Sequence, residues 1–598
     1  MKNLLSLNRY FIKYKWRFIF GILFVTVSNI FGVYGPKLVR YGFDMINESF
    51  NAFRALSGLE YQEELAKAFV YTAFLVGLAY IVVAFLKGVF MFFMRQTLIV
   101  MSRHIEYDMK NDIFNHYQKL DAAFYKVNNT GDLMNRISED VSRVRMYLGP
   151  AIMYTINLII MFVLVIVTMV NVNPKLSLYV LLPLPLLSFM IYKISEVINK
   201  QSDQVQQNLS KISSFVQERF SGIRVIKAFN RENFTLSQFD SLANDYKNSN
   251  MQLVRTNALF MPAMMLLIGL STLLTVFFGG IEAINGNITI GNIAEFIIYV
   301  NMLTWPVASL GWVSSLVQRA EASQARINEF LNTKPEIVNN AFNQAFEMGE
   351  IEFKNVSFQY PESGIVALKN INLKIEKGKT VAFLGKTGSG KSTLANLLLR
   401  MFDVNEGKIS INGKNIKDIN YYALREKTGY VPQEVFLFSD SIANNISFGL
   451  KENEFDREKI ETAAKDAAIY DNIIDFNLQF DTIIGERGVT LSGGQKQRIS
   501  IARAIIKEPE LLIFDDCLSA VDTETEEKIL GNLKRIMRNK TSIIISHRVS
   551  TLMHADEIYV LSDGQIIEKG NHQELMALKG NYFDIYKKQL SESSKAII

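Results

Sequence analysis

The run Val381-Ala382-Phe383-Leu384-Gly385-Lys386-Thr387-Gly388-Ser389-Gly390-Lys391-Ser392-Thr393 decides how the second half of this chain folds. Its four leading apolar residues read as a buried strand, and Leu394–Arg400 beyond it reads as a helix. A strand, a glycine-rich turn and a helix in that order make a phosphate-binding loop. The glycines let backbone N–H groups close around phosphate oxygens, and the helix N-terminus adds positive potential. Lys391 is expected to reach the β- and γ-phosphates, and the Ser392 hydroxyl to bind Mg²⁺.

Outward from that loop, short β-branched runs alternate with helical ones, the pattern of an α/β domain. Leu511-Leu512-Ile513-Phe514 is a second buried strand and ends in Asp515-Asp516. Asp515 is a candidate for holding Mg²⁺ through its water shell, and Asp516 for the base that orients an attacking water. Ile543-Ile544-Ile545-Ser546-His547 is a third strand with a polar tip; His547 reads either as a structural histidine or as a contact to the γ-phosphate. Cys517 is the only cysteine, which excludes a disulfide within the chain and a cysteine metal cluster.

Upstream the composition changes. Of the 598 residues 49% are hydrophobic and 21% charged, yet the mean hydropathy is only +0.12, because an apolar first half is averaged with a soluble-looking remainder. Six stretches reach the length of about 20 residues that a helix needs to cross a bilayer, near Arg17–Leu38, Ala68–Met94, Ala151–Val170, Leu176–Ile194, Ala258–Ile284 and Ile293–Val317. Before them, Met1–Lys15 mixes Leu4, Leu5, Leu7, Tyr10 and Phe11 with Lys2, Arg9, Lys13 and Lys15. That suits an amphipathic interfacial helix, the alternative being a loose tail. No small-residue cleavage site follows a short apolar core, so no removable signal peptide is read.

The connections alternate in size. Asn171–Lys175 joins the third and fourth stretches, and a short turn ending near Gly291 joins the fifth and sixth. The second and fourth connections are long, read as helix, and carry Arg95, Arg103, Lys110, Lys119, Arg136, Arg143 and Arg145 in one, and Lys200, Lys211, Arg219, Arg224, Lys227 and Arg231 in the other. The positive-inside rule puts both in the cytoplasm, together with both termini. Helices that run on past the membrane and turn back through a short connecting helix are the simplest picture. The net charge of +5 is accounted for by such loops, and no basic tract dense enough for a nucleic-acid partner is present. Polar groups inside the stretches are read as few, with Lys87 the main one. It is either functional or, lying about two turns before Arg95, snorkelling to the headgroups. Phe260, Met264, Met265, Tyr299, Asn301, Trp305 and Trp312 read either as the lining of an adaptable cavity or as lipid-facing and packing residues.

Leu491-Ser492-Gly493-Gly494-Gln495, followed by the helical Lys496–Ile506, is identified as the signature of ATP-binding cassette proteins. Ser492 can cap the helix, whose exposed N-terminus is an anion site. The whole chain resembles an ABC exporter half-transporter of the multidrug and lipid-flippase type. The resemblance implies a multidomain fold: an interfacial elbow helix at residues 1–15, a six-helix transmembrane domain at 16–320, a linker at 321–348, an α/β P-loop nucleotide-binding domain at 349–590 and a tail at 591–598. It also implies ATP and Mg²⁺ as cofactors. Tyr360 resembles the residue that stacks on adenine, and Gln433 the loop glutamine that touches Mg²⁺ and water. Gly485-Glu486-Arg487-Gly488 resembles the relay segment to the coupling helices. Ser519 and Asp522 resemble parts of the loop that crosses a dimer interface, and His547 falls at the switch histidine. Thr130-Gly131-Asp132-Leu133 and Gly222–Phe229 resemble pieces of the two cytoplasmic hairpins. In this family each ATP sits between the phosphate loop of one cassette and the signature of another, so one chain needs a second half-transporter.

The chain departs from the family at one position. The usual pair is Asp-Glu, and here it is Asp515-Asp516. Aspartate is shorter by one methylene, about 1.5 Å, and a misplacement of about 1 Å can lower a rate on the order of 100-fold. Within the family such a substitution often marks one subunit of a heterodimer, the reading favoured here over a homodimer in which Asp516 serves both sites. The expected activity is ATP-driven export or flipping of a hydrophobic or amphipathic drug or lipid across the inner (plasma) membrane of a bacterium. An ATP-gated channel or regulatory subunit is the alternative from another class, and no regulatory insertion favours it. An importer ranks lower. The spans exclude the soluble cassette ATPases of DNA repair and translation, and the early first span excludes an N-terminal protease domain.

Overall fold

Each apolar stretch lies inside a much longer helix. The computed structural model describes residues 2–55, 62–339, 346–451, 454–485, 488, 491–517 and 523–595. After a 3₁₀ turn at Asn3–Leu7 come α1 (Asn8–Lys13), α2 (Lys15–Ala55), α3 (Gln62–Lys119), α4 (Ala122–Val127), α5 (Thr130–Val172), α6 (Pro174–Ser221), α7 (Ile223–Ala228), α8 (Glu232–Ile284) and α9 (Ile290–Asn332). Six of these are long and apolar enough to cross a membrane. The 58 residues of α3 amount to about 85 Å of helix, far more than the roughly 30 Å of hydrocarbon. The helical extensions beyond the bilayer expected from sequence are therefore present, as are the short connecting helices α4 and α7. The last helix runs on to Asn332, so the segment read as a linker from 321 begins as helix.

Local chemistry sets the turns. Asn173 caps α6 by accepting from Leu176 N at 2.9 Å, with Pro174 in the first turn, where its missing N–H is no loss. Thr289 and Asn292 form a capping box at the start of α9. The fourth span is not one uninterrupted helix: it is reset at Leu182, because Pro183 has no N–H to offer. Leu4, Leu7 and Tyr10 in the N-terminal segment are buried, while Leu5 and Ile12 are exposed. Arg9 and Lys13 pair with Asp112 and Asp108 of α3.

The chain divides into two compact units, Met1–Gln118 with Gly131–Thr333, and Lys119–Thr130 with Lys334–Ile598. The tip carrying α4 thus belongs with the second unit. That unit holds β1 (Ile351–Gln359), β2 (Val366–Ile375), β3 (Thr380–Gly385), α10 (Lys391–Leu398), β4 (Glu406–Ile411), β5 (Lys414–Asn415), β6 (Thr428–Val431), α11 (Gly493–Ile505), β7 (Leu511–Asp515), β8 (Thr541–Ser546), β9 (Glu557–Ser562) and β10 (Gln565–Gly570). One sheet has the order β2-β1-β4-β5 and is antiparallel. The other has the order β10-β9-β3-β8-β7-β6, parallel except for the β10 edge. The parallel strands are buried on both faces, which explains their unbroken apolar runs. One face of the second sheet joins the first sheet and α10 in a core built around Phe353, Phe383 and Leu394. The other face joins α11 and the helices between residues 442 and 474 in a second core around Ile460, Ile499 and Phe514.

Candidate nucleotide site

Parallel strands present their carboxyl ends at one edge of a sheet, and there ligands bind. The register aligns Leu384 with Ser546, Asp515 with Ile545, and Val431 with Phe514. The loop after β3, Asp515-Asp516 after β7, His547 after β8 and Gln433 after β6 therefore emerge along the same edge.

Gly388 and Gly390 have φ of +82° and +97°, the left-handed region that side chains disfavour. A Cβ at Gly390 would also collide with the Ala367 carbonyl oxygen. Lys386, Thr387 and Gly388 are exposed, Gly385, Ser389 and Thr393 are buried, and α10 starts at Lys391. The Lys391 ammonium folds back over the loop, donating to the Gly385 and Lys386 carbonyls at 2.8 Å each. Burial pushes its pKa down, against the pull of Asp516 and Asp515. The Ser392 hydroxyl donates to Asp515 Oδ1 at 3.0 Å. Asp515 is buried, and burial pushes its carboxyl up, against the Ser392 hydrogen bond. Oxygen ligands from one serine and one carboxylate, completed by substrate phosphates, are the set Mg²⁺ favours.

Asp516 sits at φ +46°, a region aspartate enters more readily than most residues. Its two carboxylate oxygens lie 3.0 and 3.1 Å from His547 Nδ1. With the proton on Nδ1 the imidazole donates to Asp516, leaving Nε2 free to face a ligand. The His547 carbonyl accepts from Gln589 Nε2 at 2.7 Å, which fixes the strand tip. Gln433 lies two residues beyond β6 and is exposed. Cys517 is buried, and burial pushes its thiol well above the usual range.

Tyr360 follows β1, and its hydroxyl meets Thr393 Oγ1 at 3.1 Å. Its ring packs edge-on against Phe358 and Phe402. Lys126 of α4 lies 4.2 Å from the Tyr360 ring centroid and 4.8 Å from that of Phe402. Sequence reasoning missed this cation, whose partners are hundreds of residues away in the chain.

The signature lies on the other core. Leu491 is buried. Ser492 Oγ accepts from Gln495 N at 3.2 Å while Gln495 Oε1 accepts from Ser492 N at 2.9 Å. This reciprocal capping box starts α11 at Gly493 and Gly494. Among the described residues no hydrogen bond joins the signature to the phosphate loop of the same chain. Ser519 and Asp522, and Glu486 and Arg487 of the relay segment, lie outside the described residues, as does the side chain of Trp305.

In the membrane half Met264 and Tyr299 are packing residues, both buried. The Tyr299 hydroxyl lies 3.1 Å from the Val33 carbonyl and 2.9 Å from Glu295 Oε1. Met265 and Trp312 are exposed, Phe260 is half-buried, and Asn301 returns its amide to the Ile297 carbonyl. The reading of Lys87 as the main polar group within the spans needs correction. Glu282 and Glu295 fall inside the fifth and sixth apolar stretches and are both buried. Glu282 accepts from Lys175 and Asn287, and Glu295 pairs with Arg40 at 3.4 Å. A carboxylate within an apolar run was a visible signal.

Comparison with known proteins agrees over both halves. The model of the ABC transporter transmembrane region matches residues 18–307, and that of the ABC transporter matches 368–519. The chain is 33% identical to the multidrug resistance-like ATP-binding protein MdlA of Buchnera aphidicola subsp. Schizaphis graminum, covering 98% of each. It is 33% identical to the ATP-dependent lipid A-core flippase of Syntrophus aciditrophicus, covering 86% of this chain and 85% of that one. Among solved structures, a bacterial Atm1-family ABC exporter with ATP bound is similar with a TM-score of 0.76 and 26% identity, covering 96% of this chain and 99% of that one.

Proposed function

The chain belongs to the ABC transporter family, as a multi-pass membrane ATPase of the multidrug and lipid exporter type, and from that premise we propose that it moves a hydrophobic or amphipathic compound by alternating access as one half of a dimer. Its substrate is a drug or a lipid, both termini face the cytoplasm, and the membrane is the inner membrane of a bacterium. The observation that carries the dimer is the separation of two half-sites. Lys391, Ser392, Asp515, Asp516 and His547 share one sheet edge, while the signature helix starts on the other core, and among the described residues no hydrogen bond joins Leu491–Gln495 to the phosphate loop. A second chain supplies what each half lacks. The tip of the second hairpin fits this reading, since α7 buries no residue, its Val225 is exposed, and Phe220 and Phe229 stand exposed on either side of it.

In the proposed cycle Tyr360 stacks on adenine and residues 385–393 hold the phosphates. Ser392, Asp515 and Gln433 would hold Mg²⁺, which would supply charge neutralisation at the phosphates. Asp516 orients a water whose oxygen attacks the γ-phosphorus as the bond to the ADP oxygen breaks, giving ADP, phosphate and a proton. His547 contacts the γ-phosphate. Leu491–Gln495 complete the partner's site, and Ser519 and Asp522 cross the interface. ATP favours the closed pair because its contacts to the second chain exist only there.

Asp516 makes this chain's own site the slow one, and a partner half-transporter carrying glutamate makes the faster one. The test is ATP turnover of the purified chain beside Asp516→Glu and Lys391→Met. Slow wild-type turnover, a rise on the order of 10- to 100-fold in Asp516→Glu and none in Lys391→Met are expected. Fast wild-type turnover that Asp516→Glu does not raise removes the slow-site reading and leaves a homodimer.

A further inference from the structure

The last helix of the chain, α12 (Asn581–Lys595), reaches the nucleotide site through one side chain. Tyr582, Ile585, Tyr586 and Gln589 recur at spacings of three and four, which puts them on one face of the helix. Tyr582 is fully buried, and Ile585 and Tyr586 pack against the core around Ile460, Ile499 and Phe514. The first turn is anchored as well. Glu568 of β10 accepts from Asn581 N and, at 2.9 Å, from Tyr582 N, two helix-start donors with no partner inside the helix. The Tyr582 hydroxyl lies 2.7 Å from His572 Nδ1. The helix is therefore fixed to the cassette before it reaches Gln589.

Gln589 commits both ends of its amide to one turn of backbone. Its Nε2 donates to the His547 carbonyl at 2.7 Å, and its Oε1 accepts from Val549 N at 2.9 Å. Val549 opens the short helix Val549–Leu552, so its N–H also lacks a partner within that helix. A bond to the His547 carbonyl alone would let the peptide swing about it. The second bond, two residues on, removes that freedom.

The rest of the turn is held from the opposite side. Glu526, buried on the helix Thr523–Met537, accepts from Arg548 Nη1 and from Thr551 Oγ1 at 2.9 Å each. Arg548 N donates to Ser546 Oγ at 3.1 Å. The His547 imidazole, by contrast, is half-exposed, and among the described residues its hydrogen-bond partner is Asp516. The place of the ring is thus set by the main chain from which it hangs, and Gln589 sets that main chain. A group acting at a reacting phosphate tolerates little displacement, since about 1 Å can lower a rate on the order of 100-fold.

We propose that Gln589 is a positioning residue for the γ-phosphate. It touches no nucleotide itself. Through the His547 backbone it holds the imidazole in register, so that Nε2 meets the γ-phosphate while Nδ1 stays on Asp516. The inference rests on the reading of His547 as the γ-phosphate contact and makes the C-terminal helix part of the nucleotide site.

The test is displacement of trinitrophenyl-ATP by ATP and by ADP, with Mg²⁺, from the full chain in nanodiscs. The variants are Gln589→Leu, which removes both bonds, and Gln589→Glu, which keeps an acceptor for Val549 N but no donor for the His547 carbonyl. His547→Ala and His547→Ala/Gln589→Leu complete a double-mutant cycle. His547→Ala should weaken ATP about tenfold, the worth of one hydrogen bond to a charged group, and leave ADP unchanged. Both Gln589 variants should weaken ATP several-fold and leave ADP unchanged, and the double variant should lose no more than His547→Ala. Wild-type ATP binding in Gln589→Leu or Gln589→Glu, beside a loss in His547→Ala, overturns the proposal. An equal loss of ATP and ADP overturns it too, since a merely structural brace serves both nucleotides. So does a further loss in the double variant, which shows Gln589 acting other than through His547. Unchanged ATP binding in His547→Ala instead removes the γ-phosphate reading of His547 itself, and the role of Gln589 with it.

Discussion

Individual residues in the nucleotide site are constrained by backbone before chemistry. Gly388 and Gly390 both hold left-handed φ, yet only Gly390 also has a backbone carbonyl where its Cβ would be, while Gly388 faces open space. Forcing an L side chain into that conformation costs about 1–2 kcal/mol, so the two positions separate strain from collision. Gly388→Ala should lower the melting temperature slightly and leave fluorescent ATP binding measurable. Gly390→Ala should lower it further and abolish binding, because the loop must move off Ala367. Equal shifts for the two variants would show that the collision is absorbed. The same reasoning explains the position of Asp516. Its left-handed backbone aims a short carboxylate at His547, where it is held by a bond to Nδ1. The absence of a methylene was visible in sequence, and the engagement by His547 was not.

At the scale of elements, short α4 is held at both ends of one side chain. Asp121 Oδ1 accepts from Phe124 N at 3.3 Å, capping the helix. Its Oδ2 accepts from Glu336 N at 2.7 Å, on the chain entering the cassette. Ala122 and Ala123 pack beneath, against the core around Phe383. A lost cap costs about 1 kcal/mol, and a lost bond to a carboxylate about 1.5–3 kcal/mol. Asp121→Ala should therefore lower the melting temperature more than Asp121→Asn, which keeps an acceptor. It should also reduce substrate stimulation of ATP turnover more than the basal rate. A basal rate that falls as far as the stimulated one counts against a role in coupling. Elements of this kind mark the limit of the sequence. The phosphate loop, the strands ending in Asp515 and His547, and the signature helix were legible because each is a local pattern. The six spans were legible as apolar runs. Asp121 with Glu336, Lys126 with Tyr360, and Arg40 with Glu295 were not, since each pairs residues far apart in the chain.

For the whole molecule, the question is what completes a chain that carries one phosphate loop and one signature on two different cores. Chemistry already present makes it testable. Cys517 is the only cysteine, it is buried, and its thiol is pushed up by burial, so it is slow to ionise and to oxidise. A cysteine pair placed by mutation can therefore be read without background. Ser389 sits in the phosphate loop and Ser492 at the N-cap of the signature helix. In the proposed dimer these positions approach each other only across two chains, around ATP. With ATP bound, mild oxidation of Ser389→Cys/Ser492→Cys in the purified chain alone should give no covalent dimer, since the proposed partner is a different half-transporter; a band that appears only with ATP, and in neither single variant, makes the chain its own partner. A band that forms without ATP points to contact independent of nucleotide. A band absent with ATP, in a chain that still binds ATP, removes the homodimer and leaves a second, different half-transporter as the partner that supplies the missing glutamate.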